Sequence, residues 1–472
     1  MPIGLASRRV RSVSVRLGVA LATVAGTAPG ASAQSTLPAV FVANNGNLEG
    51  SVSSFTVGPN GALSFVQRLI IGITPSSAQP VPGTNAYTMT ISPDGRFLAT
   101  THATASEVLE QVTIMRVGPD ASLTLAGEFQ TPNSPLGCRW VTDEYLAVTR
   151  TAISGTNHLI LYRYDRDANM LTEVDREPVV GFCTSIAVHP NQRWVYTQET
   201  NTNTIFLFHL NDQGRLDPAG AYTNTPYYPL GLGITPDGRY LYAAGGISGG
   251  GSWITGHAID ADGSMTGAVG GLTYIQPGPF IPGGDAPKVC VPSPDSRLLF
   301  VGHGRDATVR VMNIDEQSGV PGFTSTIFDV GLQGSLGDIV TLPHPTEPAF
   351  CYMYVTDNFT ATDNLAGVYA FRVETGEGEP TFTMIPPAPP QAPPLARTGA
   401  NQPSALASWQ PPTPPACPPD FNADGTLNAD DLGDFINCYF SLPPCDGADF
   451  NGDAEINADD LGDFINAYFA GC

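Results

Sequence analysis

The sequence predicts a mainly β fold: a seven-bladed β-propeller, followed by a small all-α C-terminal domain with two tandem loops of EF-hand type. Three observations carry that expectation. One strand–turn–strand phrase recurs, as Ile91-Ser92-Pro93-Asp94-Gly95-Arg96-Phe97-Leu98, Val188-His189-Pro190-Asn191-Gln192-Arg193-Trp194-Val195, Ile234-Thr235-Pro236-Asp237-Gly238-Arg239-Tyr240-Leu241 and Pro292-Ser293-Pro294-Asp295-Ser296-Arg297-Leu298-Leu299. Its copies fall roughly 45–60 residues apart, the length of one four-stranded blade. The end of the chain then repeats an acidic loop, each copy leading into apolar residues at helical spacing.

The phrase has a physical logic. Proline presets φ at the second turn position, and Asn, Asp or Gly accept the tight or left-handed geometry that follows. The flanks are β-branched or aromatic, as a pleated and largely buried strand requires.

Residues 1–33 read as an export signal, with Arg8, Arg9, Arg11 and Arg16 before the apolar run Leu17–Ala25 and a small-residue cleavage site at Ala31-Ser32-Ala33. A propeller is expected over 34–411. Its first blade, entered at Val40, has nothing strand-like before it and so lacks an inner strand. Later blades begin near Tyr87, Leu136, Thr184, Leu230, Lys288 and Gly337, which makes about seven. The blade at Leu136 carries Thr142-Asp143-Glu144 where its neighbours have a proline turn. A proline-rich crossing follows over 386–403, and Ser404 to Pro411 reads as the missing inner strand, so that the two chain ends would close the ring. The competing reading makes all of 386–415 a linker. Residues 412–416 form a linker in either case, and the last domain spans 417–472.

A net charge of −23 and a pI near 4.4 argue against nucleic acid or an anionic membrane as partner. No transmembrane segment is expected once the signal is removed, because no run of about 20 apolar residues remains. The expected location is secreted, periplasmic or cell-surface. Eight cysteines in an exported chain permit disulfides.

In the last domain, oxygen donors stand at loop positions 1, 3, 5, 9 and 12, with a backbone carbonyl at 7. That spacing suits Ca2+, which takes six to eight hard oxygen ligands. The first loop offers Asp420, Asn422, Asp424, Asn428 and Asp431 with the Thr426 carbonyl; the second offers Asp449, Asn451, Asp453, Asn457 and Asp460 with the Glu455 carbonyl. The second site is expected to be weaker, since Ala454 stands where the first loop has Gly425. Residues 417–472 contain no Lys, Arg or His, so about half the net charge sits there and a divalent cation would relieve its repulsion. Four cysteines bracket the repeats. A nested scheme, Cys417 with Cys472 and Cys438 with Cys445, would clasp the ends, and two other pairings stay open.

The duplicated loop and helix, with Asn at position 9 and Asp at 12, resembles the dockerin module of bacterial extracellular proteins. The closing Ala470-Gly471-Cys472 looks like the planctomycete-type variant. The resemblance implies a cohesin-like or cell-surface protein partner, with Ala429-Asp430 and Ala458-Asp459 presenting the same face in either repeat.

The blade phrase resembles the lactonase family of seven-bladed propellers, which includes 6-phosphogluconolactonase and would link the chain to carbohydrate metabolism. In that family Pro-Arg-His precedes the His-Pro-Asn turn, and Asn-Glu lies in the next strand. Registered on His189-Pro190-Asn191, this chain has Cys183, Thr184 and Ser185 there, so Ser185 stands at the family's catalytic histidine position. The Asn-Glu pair falls on Glu199 and Thr200, placing Glu199 one residue early. Candidate catalytic groups are therefore Glu199 and the polar residues on expected inner strands, Arg139, Lys288 and Asp338 with Ser185, the channel holding a small lactone or carbohydrate. Two functions follow. One is an exported binding or scaffold propeller on a Ca2+-dependent docking module; the alternative is a secreted hydrolase of a lactone or sugar-derived ester.

Overall fold

Each recurrent phrase becomes the hairpin between the first and second strands of a blade. In the second blade Ser92 Oγ lies 2.6 Å from Asp94 Oδ1 and accepts the Phe97 N–H at 3.0 Å. The Gly95 N–H donates to the Ser92 carbonyl at 2.8 Å. The left-handed residue is the one after Asp or Asn. Gly95, Gln192, Gly238 and Ser296 have φ of 70°, 59°, 76° and 63°, so two blades hold a non-glycine residue there.

The computed structural model describes residues 37–45, 50–71, 86–102, 111–131, 134–151, 156–223, 229–247, 251–274, 287–304, 308–329, 335–358, 367–375, 379–390, 395–400, 402–411, 421, 427–441, 448, 450 and 456–470. The expected export signal lies outside them. Seven sheets form the ring. The inner strands of blades two to seven are Ala86–Ile91, Pro135–Trp140, Cys183–Val188, Pro229–Ile234, Pro287–Pro292 and Ser335–Pro343, matching the expected entries. In the first blade Pro403–Trp409 is the inner strand, paired antiparallel with Ala39–Asn44 so that Ala407 faces Phe41. Ring closure by the chain ends, rather than a linker, is therefore observed. A short strand, Ala396–Arg397, was not anticipated: it pairs with Gly367 and Val368 beyond the four-residue outer strand Phe382–Ile385.

Among the described residues the core is not central. Seven apolar clusters fill the wedges between neighbouring blades, such as the one joining Phe41 and Val52 of the first blade to Leu98 and Met115 of the second. Buried tyrosines pin one blade to the next. Tyr196 donates to the Gly263 carbonyl at 2.6 Å, Tyr242 to Gly319 at 2.7 Å and Tyr354 to Gly61 at 3.0 Å. The third blade, without its proline turn, is tied to the second by Arg166, which meets Asp94 at 2.5 Å and donates to the Asp143 carbonyl. The propeller cysteines Cys138, Cys183, Cys290 and Cys351 are buried free thiols.

Beyond the ring, the described residues show two helices, α1 (Ala429–Tyr439) and α2 (Ala458–Ala470). Phe435 and Phe464, both fully buried, stack with centroids 3.9 Å apart. Phe421 and Phe450 abut both rings edge-on. Most of each expected calcium loop, namely Asp420, Asn422, Asp424, Thr426, Asp449, Asn451, Asp453 and Glu455, lies outside the described residues, as do Cys417, Cys445 and Cys472. Cys438 is disulfide-bonded. Among the described residues no helix is long and apolar enough to cross a membrane.

Trp409, at the end of the closing strand, packs on Gly95, where any Cβ would collide with the indole. Trp409→Ala should therefore lose about 3–5 kcal/mol of stability in chemical denaturation, as a buried aromatic truncated to alanine does.

Candidate active site in the central channel

A β-bulge lets one strand carry a residue that its partner does not match, and so re-aims a side chain. Here every blade has a register break where the inner strand enters, between its first and second strands. The breaks fall at Ala86/Met89, Pro135/Cys138, Cys183/Ser185, Pro229/Gly231, Pro287/Val289 and Leu336/Ile339, and opposite Ser404 in the first blade. The residues in these breaks rim a central cavity of about 500 Å3. Lys288 occupies the sixth blade's bulge, and Gly337 with Asp338 the seventh's. Lys288, Asp338, Arg139 and Ser185 all line the cavity.

Hydroxyls and amides stitch the inner strands together around this channel. Thr88 donates to the Leu136 carbonyl at 2.6 Å, Arg139 Nε to Ile186 at 3.4 Å, Ser404 to Ala86 at 3.1 Å and Ser408 to Thr341 at 3.3 Å. Ser185 donates to the Leu230 carbonyl. Gly233 and Gly337 permit close approach of neighbouring inner strands: a Cβ would collide with the Cys290 carbonyl oxygen at the first and stand 2.5 Å from the Pro403 carbonyl oxygen at the second. These inter-strand roles of Thr88, Ser404 and Ser408 were missed in the sequence, because isolated Ser and Thr on strands carry no spacing signal.

Asp338 is the central group. Its Oδ2 accepts the N–H of Leu406, on the closing strand, at 2.8 Å, and its Oδ1 accepts the Ile339 N–H at 2.9 Å. Burial pushes its pKa up, against those two amides and the fields of Lys288 and Arg139, which pull it down. Burial likewise lowers the pKa of Lys288, opposed by Asp338. The two do not form an ion pair within 4 Å among the described residues, so each keeps a face toward the channel. Arg139 is exposed to it.

Glu199 is not brought to the channel. It is fully buried at the far end of the second strand of its blade, opposite Cys183. Its carboxylate accepts the Asn201 and Thr202 N–H groups and the Thr202 hydroxyl, closing a turn. The one-residue offset in the sequence thus has a structural counterpart: this carboxylate serves its own hairpin.

Four expected calcium ligands lie within the described residues. Asn428 caps α1, accepting the Asp430 N–H at 2.7 Å, while Asp431 Oδ2 accepts the Asn428 N–H at 2.8 Å. In the second copy Asp460 accepts the Asn457 N–H at 2.8 Å and the Phe450 N–H at 2.9 Å. Asp431 and Asp460 are both fully buried.

The lowered Lys288 pKa has a sign. Between that value and the ordinary lysine value of about 10.5 the unfolded chain holds the extra proton, so stability rises with pH across this window. Lys288→Met should abolish that rise and be more stable at neutral pH by about 1 kcal/mol, since a desolvated charge is removed. Denaturant titrations of both proteins from neutral to alkaline pH measure it.

No protein-family model matches the chain, and no curated protein resembles it in sequence. Solved structures share its fold. A periplasmic gluconolactonase of Pseudomonas aeruginosa superposes with a TM-score of 0.58 at 16% identity, over 80% of this chain and 100% of that one. A Bacteroides fragilis protein assigned as a 6-phosphogluconolactonase gives 0.58 at 15%, over 79% and 98%. A Lactobacillus plantarum protein gives 0.59 at 14%, over 79% and 100%. The chain is thus a seven-bladed β-propeller that shares the fold of these structures.

Proposed function

We propose that the propeller is an exported hydrolase of a lactone or sugar-derived ester, acting at the mouth of the central channel. The observation that carries this is the convergence of Lys288, Arg139 and Asp338 on one cavity of about 500 Å3, two of them set there by bulges. Asp338 takes a proton from water as it attacks the carbonyl carbon. The developing oxyanion faces the Lys288 ammonium and the Arg139 guanidinium, a charge-stabilising arrangement. Collapse breaks the ring C–O bond, and the leaving oxygen recovers the proton from Asp338. The gluconolactonase named above supports the substrate class by fold likeness alone. With a net charge of −23, the chain suits an uncharged lactone better than a phosphorylated one.

Aldonolactone hydrolysis by the full chain is the test. Asp338→Ala and Lys288→Ala should each lower kcat by about 10²–10⁴-fold. The rate should rise as pH passes the raised pKa of Asp338, which must be ionised, and fall as Lys288 loses its proton below the ordinary lysine value. Turnover unchanged in both variants would remove the proposal.

One observation favours a binding propeller instead: at the family's histidine position, the Ser185 hydroxyl is spent on the Leu230 carbonyl. Lactone binding by calorimetry without turnover would select that reading.

For the C-terminal segment we propose a Ca2+-dependent, dockerin-like docking module that tethers the propeller to a cohesin-like or cell-surface protein. Two fully buried carboxylates, Asp431 and Asp460, in a stretch without one basic side chain support it. These residues would hold the ions with Asn428 and Asn457 and the remaining loop oxygens; bound Ca2+ would supply the missing positive charge. Calorimetry of the full chain should show two Ca2+ sites, and Asp460→Ala one. At 100-fold excess over Kd, Ca2+ should stabilise this segment by about 2.7 kcal/mol. No heat of binding would exclude the module.

A further inference from the structure

We propose that Lys288 is a covalent capture site for 2-oxo carboxylic acids, held as an imine on its amine while Arg139 binds their carboxylate and Asp338 supplies the proton for dehydration. The capture does not require the channel to hydrolyse anything and stands apart from the lactonase proposal.

The composition makes the first point. Of 21 basic residues in the chain, Lys288 is the one lysine, and the other 20 are arginine. An arginine in the same bulge would serve a purely electrostatic purpose, with a charge that never titrates. A lysine differs in being able to shed its proton and become a nucleophile, which desolvation promotes.

Placement makes the second. The bulge between Pro287 and Val289 turns Lys288 into the channel, where Leu230 and Val291 share the lining. Among the described residues no hydrogen bond or ion pair closes on its amine, and Asp338 is the charged group whose field reaches it. That half-buried, unanchored amine sits in a cavity that easily holds a three- to five-carbon acid. Arg139 is exposed to the same cavity, and its planar guanidinium matches a carboxylate in bidentate fashion. Arg139, Lys288 and Asp338 line the same cavity.

The step balances. The neutral Lys288 amine adds to the 2-oxo carbon: an N–C bond forms, the C=O π pair moves to oxygen, and one amine proton ends on that oxygen. The neutral Asp338 carboxyl, favoured by its raised pKa, protonates the resulting hydroxyl. The C–O bond breaks, water leaves, and a protonated imine stands beside the Asp338 carboxylate. Hydrolysis reverses the sequence; cyanoborohydride instead delivers hydride to the imine carbon and fixes the adduct.

With a single lysine, the experiment has few places to go wrong. The full-length protein is incubated with pyruvate and sodium cyanoborohydride, digested, and mapped by mass spectrometry, with the N-terminal amine as internal reference. The Lys288 peptide should gain one reduced pyruvate at about tenfold the rate of the N-terminus, and Lys288→Arg should lose it. Arg139→Gln should need about tenfold more pyruvate for half-labelling yet label with acetaldehyde, which has no carboxylate, as the native chain does. Circular dichroism verifies that each variant is folded. A Lys288 peptide unlabelled at saturating pyruvate overturns the proposal, and so does a pyruvate dependence that Arg139→Gln leaves unchanged.

Discussion

Pairing of the strand Pro403–Trp409 with Ala39–Asn44 is the contact on which the rest depends. Without this strand the first blade would have three strands and an unpaired inner edge at Ala39–Asn44; the last strand covers that edge by entering the first blade. Three contacts tie it to its two neighbouring blades. Ser404 reaches the second blade through the Ala86 carbonyl, Ser408 reaches the seventh through Thr341, and Trp409 lies over Gly95. Closure and site share a residue as well, because Asp338 takes the Leu406 N–H. The carboxylate that faces the channel is thereby held by the strand that shuts the ring.

The channel mouth departs from the bland design elsewhere in the ring. Wedges between blades are packed with aliphatic and aromatic side chains, and the hydroxyls of Tyr196, Tyr242 and Tyr354 each find a carbonyl of the next blade. At the mouth, by contrast, a lysine and an aspartate sit on neighbouring bulges with shifted pKa values and no direct ion pair. Keeping two desolvated charges apart lowers stability, the usual mark of groups arranged for binding or chemistry rather than for the fold. Glu199 differs: it is fully buried away from the channel, where the amides of its own hairpin satisfy its carboxylate.

In the C-terminal segment the described residues of the two loops serve the helix starts. Asn428 and Asp431 cap α1, and Asn457 and Asp460 repeat the pattern before α2, so helix capping alone explains their spacing locally. Capping does not explain why both aspartates are fully buried in a stretch lacking any basic side chain. Among the described residues, the stacked Phe435 and Phe464 rings form the core between the helices.

The sequence by itself determined the blade count, the inner-strand entries from Tyr87 to Gly337, and ring closure by Ser404 to Trp409. Those follow from local turn chemistry and strand alternation, which are written residue by residue. It also marked Lys288, Asp338 and Arg139 as polar residues on inner strands. Tertiary structure alone decided that seven bulges align at one end of the channel and that the Asp338 carboxylate meets a strand 68 residues further on. It decided too that Glu199 faces a turn instead of the cavity. Such outcomes depend on how neighbouring blades register against one another, and no local pattern encodes a contact between strands that meet only when the ring is shut.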